Sequence, residues 1–304
     1  MNYALLFSGQ GTQHPAMFPW LEGQAVAQPA LACLRACIGG DWRALLAADA
    51  CRASNSLAQP LIVATALAAW AALRSLLPRG PEVVAGYSVG EVAAFAAAGA
   101  YAPRQAIALA RQRSALMDAA VAGSDTGLLA IRAICEADVL AACPQLECAI
   151  RIDPDHNIFG GTSASLLEAQ QLLQHRAEFK RLCVALASHT SWMRGAAQAF
   201  APLVAATGLR TADCHIALNA SGATSRQARV LGPALVAQLA DCVEWGACMA
   251  AVAERQPTCV IEIGGGSALA RMWAARHPHI PVRSLDEFRT AEGAADWVLA
   301  RSLR

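Results

Sequence analysis

A serine between two glycines is the clearest chemical signal in the sequence, in Gly86-Tyr87-Ser88-Val89-Gly90. Residues 83–85 are β-prone and the residues after Gly90 favour a helix, so the pattern predicts a strand, a sharp turn with an exposed Ser88 hydroxyl, and a helix. The backbone N–H of Val89 would lie at the helix N-terminus, where it can stabilise an oxyanion. Because such motifs also occur in ordinary turns, an inert turn stays the alternative.

A serine nucleophile needs a base, and the chain contains seven histidines. His189 is the favoured candidate because it follows a predicted strand, at the point where the chain returns to the main domain. Three others stay possible, and three lie at a helix end or in a surface-like loop: His14, His156 and His215 in the first group, His175, His277 and His279 in the second. For each of them a purely structural histidine is the alternative.

Arg113 is a candidate binding residue on the helix predicted over residues 103–120. A guanidinium presents a fork of donors that matches a carboxylate, so Arg113 would suit an acyl group that ends in a free acid. The alternative is a solvated arginine on a helix surface.

The elements that position these residues form two groups. Strands are predicted at 3–7, 83–85 and 259–263, and helices at 60–77, 90–98, 103–120, about 192–206 and about 233–239. Between them, residues 126–187 follow the order βαββαβ, which is ferredoxin-like. The sequence therefore predicts an α/β fold: an α/β-hydrolase-like large domain with a parallel sheet (1–125 and 188–304) and an inserted ferredoxin-like small domain (126–187).

Composition narrows the class of protein. A net charge of +1 and 15% charged residues argue against a nucleic-acid-binding surface. Eleven cysteines without a CxxC pair favour a reducing cytoplasm over a disulfide framework or zinc site. The first residues predict a strand rather than a signal peptide. The sequence has no apolar run long enough to predict a membrane span. The loops 9–11 and 264–266 fit neither dinucleotide nor P-loop motifs, so an oxidoreductase or kinase is disfavoured.

Seven motifs in order resemble the malonyl-CoA:acyl carrier protein transacylase family over essentially the whole chain. They are Phe7-Ser8-Gly9-Gln10-Gly11-Thr12-Gln13, Gln59-Pro60, Gly86-Tyr87-Ser88-Val89-Gly90-Glu91, Arg113 with Met117, Ser188-His189, Gln238 before Val243-Glu244-Trp245, and Ile261-Glu262-Ile263-Gly264-Gly265-Gly266.

This resemblance implies a ping-pong transfer of malonyl from malonyl-CoA to the phosphopantetheine-type thiol of an acyl carrier protein. Ser88 would be the acylated nucleophile and His189 its general base and acid. The backbone carbonyl of Gln238 would orient the histidine in place of a triad aspartate.

Four more roles follow from the resemblance. The backbone N–H groups of Gln10 and Val89 would form the oxyanion hole. Arg113 would hold the malonyl carboxylate, and Gln59 would lie with it in the substrate site. No metal or redox cofactor is expected.

Some positions depart from the common family pattern. Tyr87 stands where His is usual, residues 152–156 replace an Asn-Ser-Pro-Gly-type stretch, and the last loop is Gly-Gly-Gly instead of Gly-Pro-Gly. These features resemble the epsilon subunit of malonate decarboxylase, which loads malonyl onto the carrier protein of that complex, and they imply the other subunits as partners. Alternatives are a fatty-acid or polyketide transacylase, a serine thioesterase or hydrolase, and a non-catalytic interaction subunit of the same fold.

Overall fold

The computed structural model describes residues 2–48 and 54–302, and two sheets organise this part of the chain. The strands are β1 Tyr3–Phe7, β2 Val83–Gly86, β3 Thr126–Arg132, β4 Glu147–Asp153, β5 His156–Thr162, β6 Glu178–Arg181, β7 His215–Ala217, β8 Thr224–Ser225, β9 Cys259–Ile263 and β10 Val282–Ser284. The helices are α1 Gln28–Ile38, α2 Trp42–Ala47, α3 Asn55–Leu76, α4 Gly90–Ala97, α5 Pro103–Ala120, α6 Glu136–Ala142, α7 Ser163–Leu172, α8 Arg194–Ala205, α9 Ala228–Ala237, α10 Trp245–Ala253, α11 Ala268–Arg276 and α12 Ala291–Ser302.

The large sheet has the order β10-β9-β1-β2-β7-β8 and is parallel except for the edge strand β8. In the centre, Phe7 of β1 is in register with Gly86 of β2 and with Ile263 of β9. The carboxyl ends of these three strands therefore meet at one edge. The loops that carry Gln10 and Ser88 start there, as expected for the site of an α/β sheet.

Both faces of the large sheet are covered. Tyr3, Leu5 and Phe7 point into a core shared with α1, α3, α4 and α5, while Ala4 and Leu6 point into a second core. Within the described residues only α3 is long and apolar enough to cross a membrane, and 83% of its apolar window is buried in the protein. In this structure α3 is a core helix.

The small sheet has the order β4-β5-β3-β6, with every pair antiparallel. Together with α6 and α7 this is the ferredoxin-like order, so the predicted α/β fold with a ferredoxin-like part is confirmed. Leu128 and Ala130 on one face of β3 share a core with Trp245 and Trp273 of the large part. The division of the chain into domains at residues 126 and 188 stays a prediction.

Several boundaries differ from those predicted. Three elements have the predicted bounds: strands 3–7 and 259–263 and helix 103–120. The predicted helix starts at Pro60 and Pro233 are wrong, since α3 and α9 each begin five residues earlier. Proline favours the first turn, yet packing of apolar neighbours outweighs one lost hydrogen bond. We did not predict α10, since its residues are apolar on nearly all sides and give no amphipathic pattern.

Candidate active site

Ser88 lies on the sharp turn that the sequence predicts, between β2 and α4. Its backbone has φ of 54°, in the left-handed region that a non-glycine residue rarely adopts. The flanking glycines are required sterically: a Cβ on Gly86 would lie 2.1 Å from the Gly90 carbonyl carbon, and one on Gly90 would lie 2.3 Å from the Phe7 carbonyl oxygen. Small residues thus let the turn fold tightly against β1 and present the hydroxyl at the sheet edge.

His189 is the histidine that meets this serine. Its Nε2 lies 2.8 Å from the Ser88 Oγ, and its Nδ1 lies 2.5 Å from the Gln238 carbonyl oxygen. The histidine also has positive φ, 62°, and its own N–H donates to the Leu239 carbonyl at 3.0 Å. A carbonyl acceptor at Nδ1 requires the Nδ1–H tautomer of a neutral ring, which leaves Nε2 free to accept the serine proton.

The prediction that His189 directly follows a strand is wrong. β6, the strand that precedes it, ends at Arg181, eight residues earlier. The Leu182 N–H still donates to the Leu128 carbonyl, after which the chain leaves the small sheet and crosses to the large part. His189 therefore sits in a turn held by contacts with residues far away in sequence.

Burial controls the charge of the histidine. His189 is 1% exposed, and burial together with the positive charge of Arg113 lowers its pKa to about 3, while the bond to the Gln238 carbonyl acts in the opposite direction. The imidazole is neutral at neutral pH. It is ready to accept a proton from Ser88.

Two backbone N–H groups near Ser88 have no protein acceptor within residues 2–48 and 54–302. They belong to Gln10, in the loop after β1, and to Val89, at the start of α4. Both residues line a cavity of about 60 Å³ together with Ser88 and His189. Free N–H donors beside a nucleophile are the components of an oxyanion hole.

Arg113 is fully buried, so the interpretation as a solvated arginine is wrong. One terminal nitrogen donates to Gln59 Oε1 at 2.8 Å, the other donates to Gln238 Oε1 at 2.7 Å, and Nε has no partner among the described residues. Burial lowers the pKa of Arg113 to about 10, and the nearby Glu91 carboxylate opposes this shift. The guanidinium thus stays cationic at neutral pH and keeps donors free for a further anion.

Glu91 and Asn219 complete the site, and we did not assign either of them a role from the sequence. The Asn219 side chain accepts from the Ser88 N–H at 2.9 Å and donates to the Gly86 carbonyl at 2.7 Å. Glu91 accepts from the Asn219 N–H at 2.8 Å and from Gln238 Nε2 at 3.0 Å. Burial raises the pKa of Glu91 to about 7, against these bonds. Together the two residues brace the Ser88 turn.

The three other histidines left open by the sequence have partners elsewhere. His14 contacts Asp286 at 2.7 Å, His156 lies 3.1 Å from an Arg132 nitrogen, and His215 lies 3.0 Å from an Arg255 nitrogen. The structure therefore brings only His189 to the hydroxyl of Ser88, among the described residues.

Comparison with known proteins places the chain in a family. Residues 4–276 match the family described as "Acyl transferase domain". The malonyl CoA-acyl carrier protein transacylase of Mycobacterium tuberculosis (strain H37Rv) is 33% identical over 302 residues, which cover 93% of this chain and 95% of that protein. The protein of the same name from Haemophilus influenzae is 26% identical, over 88% of this chain and 90% of that protein.

Solved structures support the same family assignment. An acyl-carrier-protein S-malonyltransferase from Burkholderia pseudomallei superposes with a TM-score of 0.89 and 27% identity, over 97% of this chain and all of that chain. A Mycobacterium tuberculosis structure described as MCAT gives a TM-score of 0.87 and 29% identity, over 97% and 100% of the two chains. A serine at a strand–helix turn, a buried neutral histidine and two free N–H donors suit acyl transfer. The chain belongs to the acyl transferase family and is an acyltransferase.

Proposed function

We propose that this enzyme moves a malonyl group from malonyl-CoA to the thiol of an acyl carrier protein, through a malonyl ester of Ser88. The observation that carries the proposal is the position of Gln238. Its carbonyl oxygen accepts from His189, its Nε2 donates to the Ser88 carbonyl at 2.8 Å, and its Oε1 accepts from Arg113. One residue thus fixes the base, the nucleophile turn and a buried cation in the same small site.

The first half-reaction acylates the serine. His189 Nε2 takes the Ser88 proton as Oγ attacks the thioester carbon, and the carbonyl oxygen becomes an oxyanion held by the N–H groups of Gln10 and Val89. Collapse of this intermediate breaks the C–S bond. The imidazolium gives its proton to the departing CoA sulfur, which leaves malonyl-Ser88 and a neutral histidine.

The second half-reaction runs in the opposite sense with a new thiol. The carrier-protein thiol gives its proton to His189, and its sulfur attacks the ester carbon. The oxyanion forms in the same hole, the C–Oγ bond breaks, and Oγ recovers the proton from the histidine. Malonyl leaves on the carrier, and the enzyme returns to its starting state.

Arg113 accounts for the malonyl group in this proposal. Its Nε and the second hydrogens on its terminal nitrogens are not used by Gln59 or Gln238. One methylene separates the malonyl carboxylate from the thioester carbonyl, and Gln238 links the guanidinium to the Ser88 backbone. We therefore place the carboxylate on this fork while the carbonyl lies at Ser88. Gln59, which we expected in the substrate site, lines the cavity at Ser88 and also holds the guanidinium in place.

A wider pocket offers a path for the arm that carries the acyl group. Ile150 and Ile158 line the cavity at Ser88, whereas Ile152 and His156, each two residues away on the same strands, line a pocket of about 840 Å³. Two residues of a strand span about 7 Å. Both charge signs line the wider pocket, but three of its cations have no carboxylate partner among the described residues: Arg132, Lys180 and Arg271. They suit the phosphate that ends a pantetheine arm.

The proposal is tested by following the malonyl group. The protein is incubated with malonyl-CoA, and intact mass should show one malonyl adduct. Addition of an acyl carrier protein that carries phosphopantetheine should then clear the adduct and yield malonylated carrier, whereas the apo carrier should leave the adduct in place. A serine thioesterase would instead release free malonate at a comparable rate without an acceptor, and this result would refute the transfer step.

The choice of carrier is the finer part of the proposal. The relatives named above support transfer to an acyl carrier protein of the malonyl CoA-acyl carrier protein transacylase type better than the malonate decarboxylase epsilon subunit, which the residues around Tyr87 resemble. A panel that includes the malonate decarboxylase carrier, compared by transfer rate, separates the two. Partnership with other malonate decarboxylase subunits and a cytoplasmic location stay predictions.

The lowered pKa of His189 predicts a flat acid limb in the pH profile. With a pKa of about 3 the imidazole is neutral from pH 5 to pH 8, so the rate of Ser88 acylation by malonyl-CoA should change little across this range. A base with the ordinary pKa of 6.5 would lose roughly 30-fold between pH 8 and pH 5. Single-turnover reactions that are quenched at set times and analysed by intact mass measure the rate of Ser88 acylation.

Unlike His189, Glu91 has a pKa inside this range, at about 7. The Glu91→Gln variant removes that titration and keeps the side-chain shape. It serves as the control: a modest inflection near pH 7 that disappears in this variant belongs to Glu91. A 30-fold loss at pH 5 in both proteins would contradict the assignment of His189 as a buried neutral base.

A further inference from the structure

Two thiols that the proposed mechanism does not use lie in contact between the small sheet and the large part of the protein. Cys148 belongs to β4 of the small sheet, and Cys242 follows α9 of the large part. Their sulfur atoms are 3.8 Å apart, and both residues are partly buried. Neither residue is fully buried, so a small oxidant has access to the pair.

The backbone beside these thiols ties their two segments together. Val243 and Ile150 form a parallel bridge in which the Arg151 N–H donates to the Val243 carbonyl and the Val243 N–H donates to the Ala149 carbonyl, each at 2.9 Å. A disulfide needs an S–S distance of about 2.05 Å. Rotation of the side chains with a small shift of one backbone segment would bring the sulfur atoms together.

The segment that carries Cys242 is also the segment that holds His189. Its carbonyls at Gln238 and Leu239 accept from the histidine Nδ1 and N–H. The segment is thus fixed at one end to the catalytic histidine and at the other to the small sheet. A covalent bond at Cys242 would move or restrain the groups that orient His189.

We propose that Cys148 and Cys242 form a reversible disulfide that joins the small sheet to the His189-holding segment and slows reaction at Ser88. The two cysteines are a modification site in this chain, and its reagent is a small disulfide, oxidised glutathione. Its effect on catalysis rests on the proposed function, but its formation does not.

Charged groups surround the pair. The hydrogen bond with Cys242, burial and the negative charge of Glu136 raise the pKa of the Cys148 thiol, whereas the positive charge of Arg151 lowers it. Arg151 is itself shared with Glu136 and Glu244. Either thiol can make the first attack, and both orders end in the same disulfide.

The exchange with oxidised glutathione balances in two steps. When Cys242 reacts first, its thiolate attacks one glutathione sulfur, and the first glutathione thiolate leaves. Cys148 then loses its proton and attacks the Cys242 sulfur, and the second glutathione leaves. Two protein thiols are oxidised, and one oxidised glutathione is reduced to two glutathione molecules. A reducing thiol reverses both steps.

Intact mass and peptide mapping test the bond itself. Native protein treated with oxidised glutathione should lose two hydrogens and give one cross-linked peptide pair containing Cys148 and Cys242. The Cys148→Ser and Cys242→Ser variants should each fail to give the cross-linked pair and should stop at a glutathione adduct on the cysteine of the pair that remains. Cys183→Ser, at an exposed cysteine, should behave as wild type. Absence of the cross-linked pair in wild-type protein that is modified elsewhere would overturn the proposal.

A fluorophosphonate that labels active serines tests the consequence without malonyl-CoA. Labelling of Ser88 should be about 10- to 100-fold slower in the cross-linked protein, as expected when a catalytic group is misplaced by about 1 Å. Reductant should restore the rate. The Cys242→Ser and Cys242→Ala variants should be labelled under oxidant as fast as wild-type protein that has no cross-link. Equal labelling of cross-linked and reduced protein would refute the switch. Failure of malonyl-CoA to acylate the reduced protein would refute the proposed function alone.

Discussion

Replacement of Ser88 by alanine should abolish the malonyl-enzyme adduct and lower malonyl transfer by about a million-fold, the loss typical of a serine nucleophile. His189 would keep its position, since its Nδ1 and N–H bonds to residues 238 and 239 do not involve the serine hydroxyl. The oxyanion donors would also stay. What is lost is the atom that forms the ester. Intact mass after incubation with malonyl-CoA measures the adduct, and a carrier-transfer assay measures the rate.

A matched serine variant guards against a general effect of substitution. Ser225 lies on the edge strand β8, where its hydroxyl accepts from the Gln227 N–H. The Ser225→Ala variant should form the adduct as wild type does. A persistent adduct in the Ser88→Ala variant, mapped to any other side chain, would contradict the nucleophile assignment.

The Ser88 turn could be predicted from sequence because its determinants are local. A Cβ on Gly86 would meet the Gly90 backbone four residues later, and a Cβ on Gly90 would meet the Phe7 carbonyl of β1, so both constraints appear as glycines within one five-residue pattern. A pattern of that kind can be recognised from the amino-acid sequence alone. The same holds for strands 3–7 and 259–263, which are buried on both faces and appear as short apolar runs.

The bracing of that turn could not be predicted, because it depends on residues far apart in the chain. Asn219 reaches Ser88 across 131 positions, and Gln238 reaches Glu91 across 147 positions. Neither polar side chain has a local pattern that marks it as buried. The resemblance to a family pointed to Gln238, while Asn219 had no such signal.

The burial of Arg113 was hidden for a related reason. Arginine is usually solvated, and helix 103–120 has charged residues at several other positions, so its sequence does not identify which guanidinium is enclosed. Enclosure comes from Gln59 on α3 and Gln238 after α9, two elements that meet α5 only in the folded chain. This is the difference between a helix that can be predicted and a site that cannot.

Replacement of Arg113 by alanine should reduce kcat/KM for malonyl-CoA by about 100- to 1,000-fold relative to the change for acetyl-CoA. Two charge-assisted hydrogen bonds to a buried carboxylate contribute about 3 to 4 kcal/mol, and each 1.4 kcal/mol is tenfold. Acetyl has no carboxylate to lose. The measurement is the ratio of the two rates, each from adduct formation at low substrate concentration.

The ratio is the decisive quantity because the variant also loses structural contacts. Without Arg113, the amide oxygens of Gln59 and Gln238 lose a donor, which costs stability and slows both substrates. Glu91 loses a positive neighbour that lowers its pKa, so its pKa should rise further above 7 and the carboxyl should be neutral at pH 7. A buried uncompensated charge is thereby avoided, and the fold should persist.

A neighbouring substitution then separates the clamp from the packing. Ser114 is buried beside Arg113 on α5 and donates to the Arg111 carbonyl, so Ser114→Ala changes the same helix without touching the guanidinium. It should leave the malonyl-to-acetyl ratio unchanged. Equal losses on both substrates in Arg113→Ala would mean that the arginine only supports the Gln59–Gln238 framework. Selectivity for a free carboxylate would then have to come from another part of the cavity.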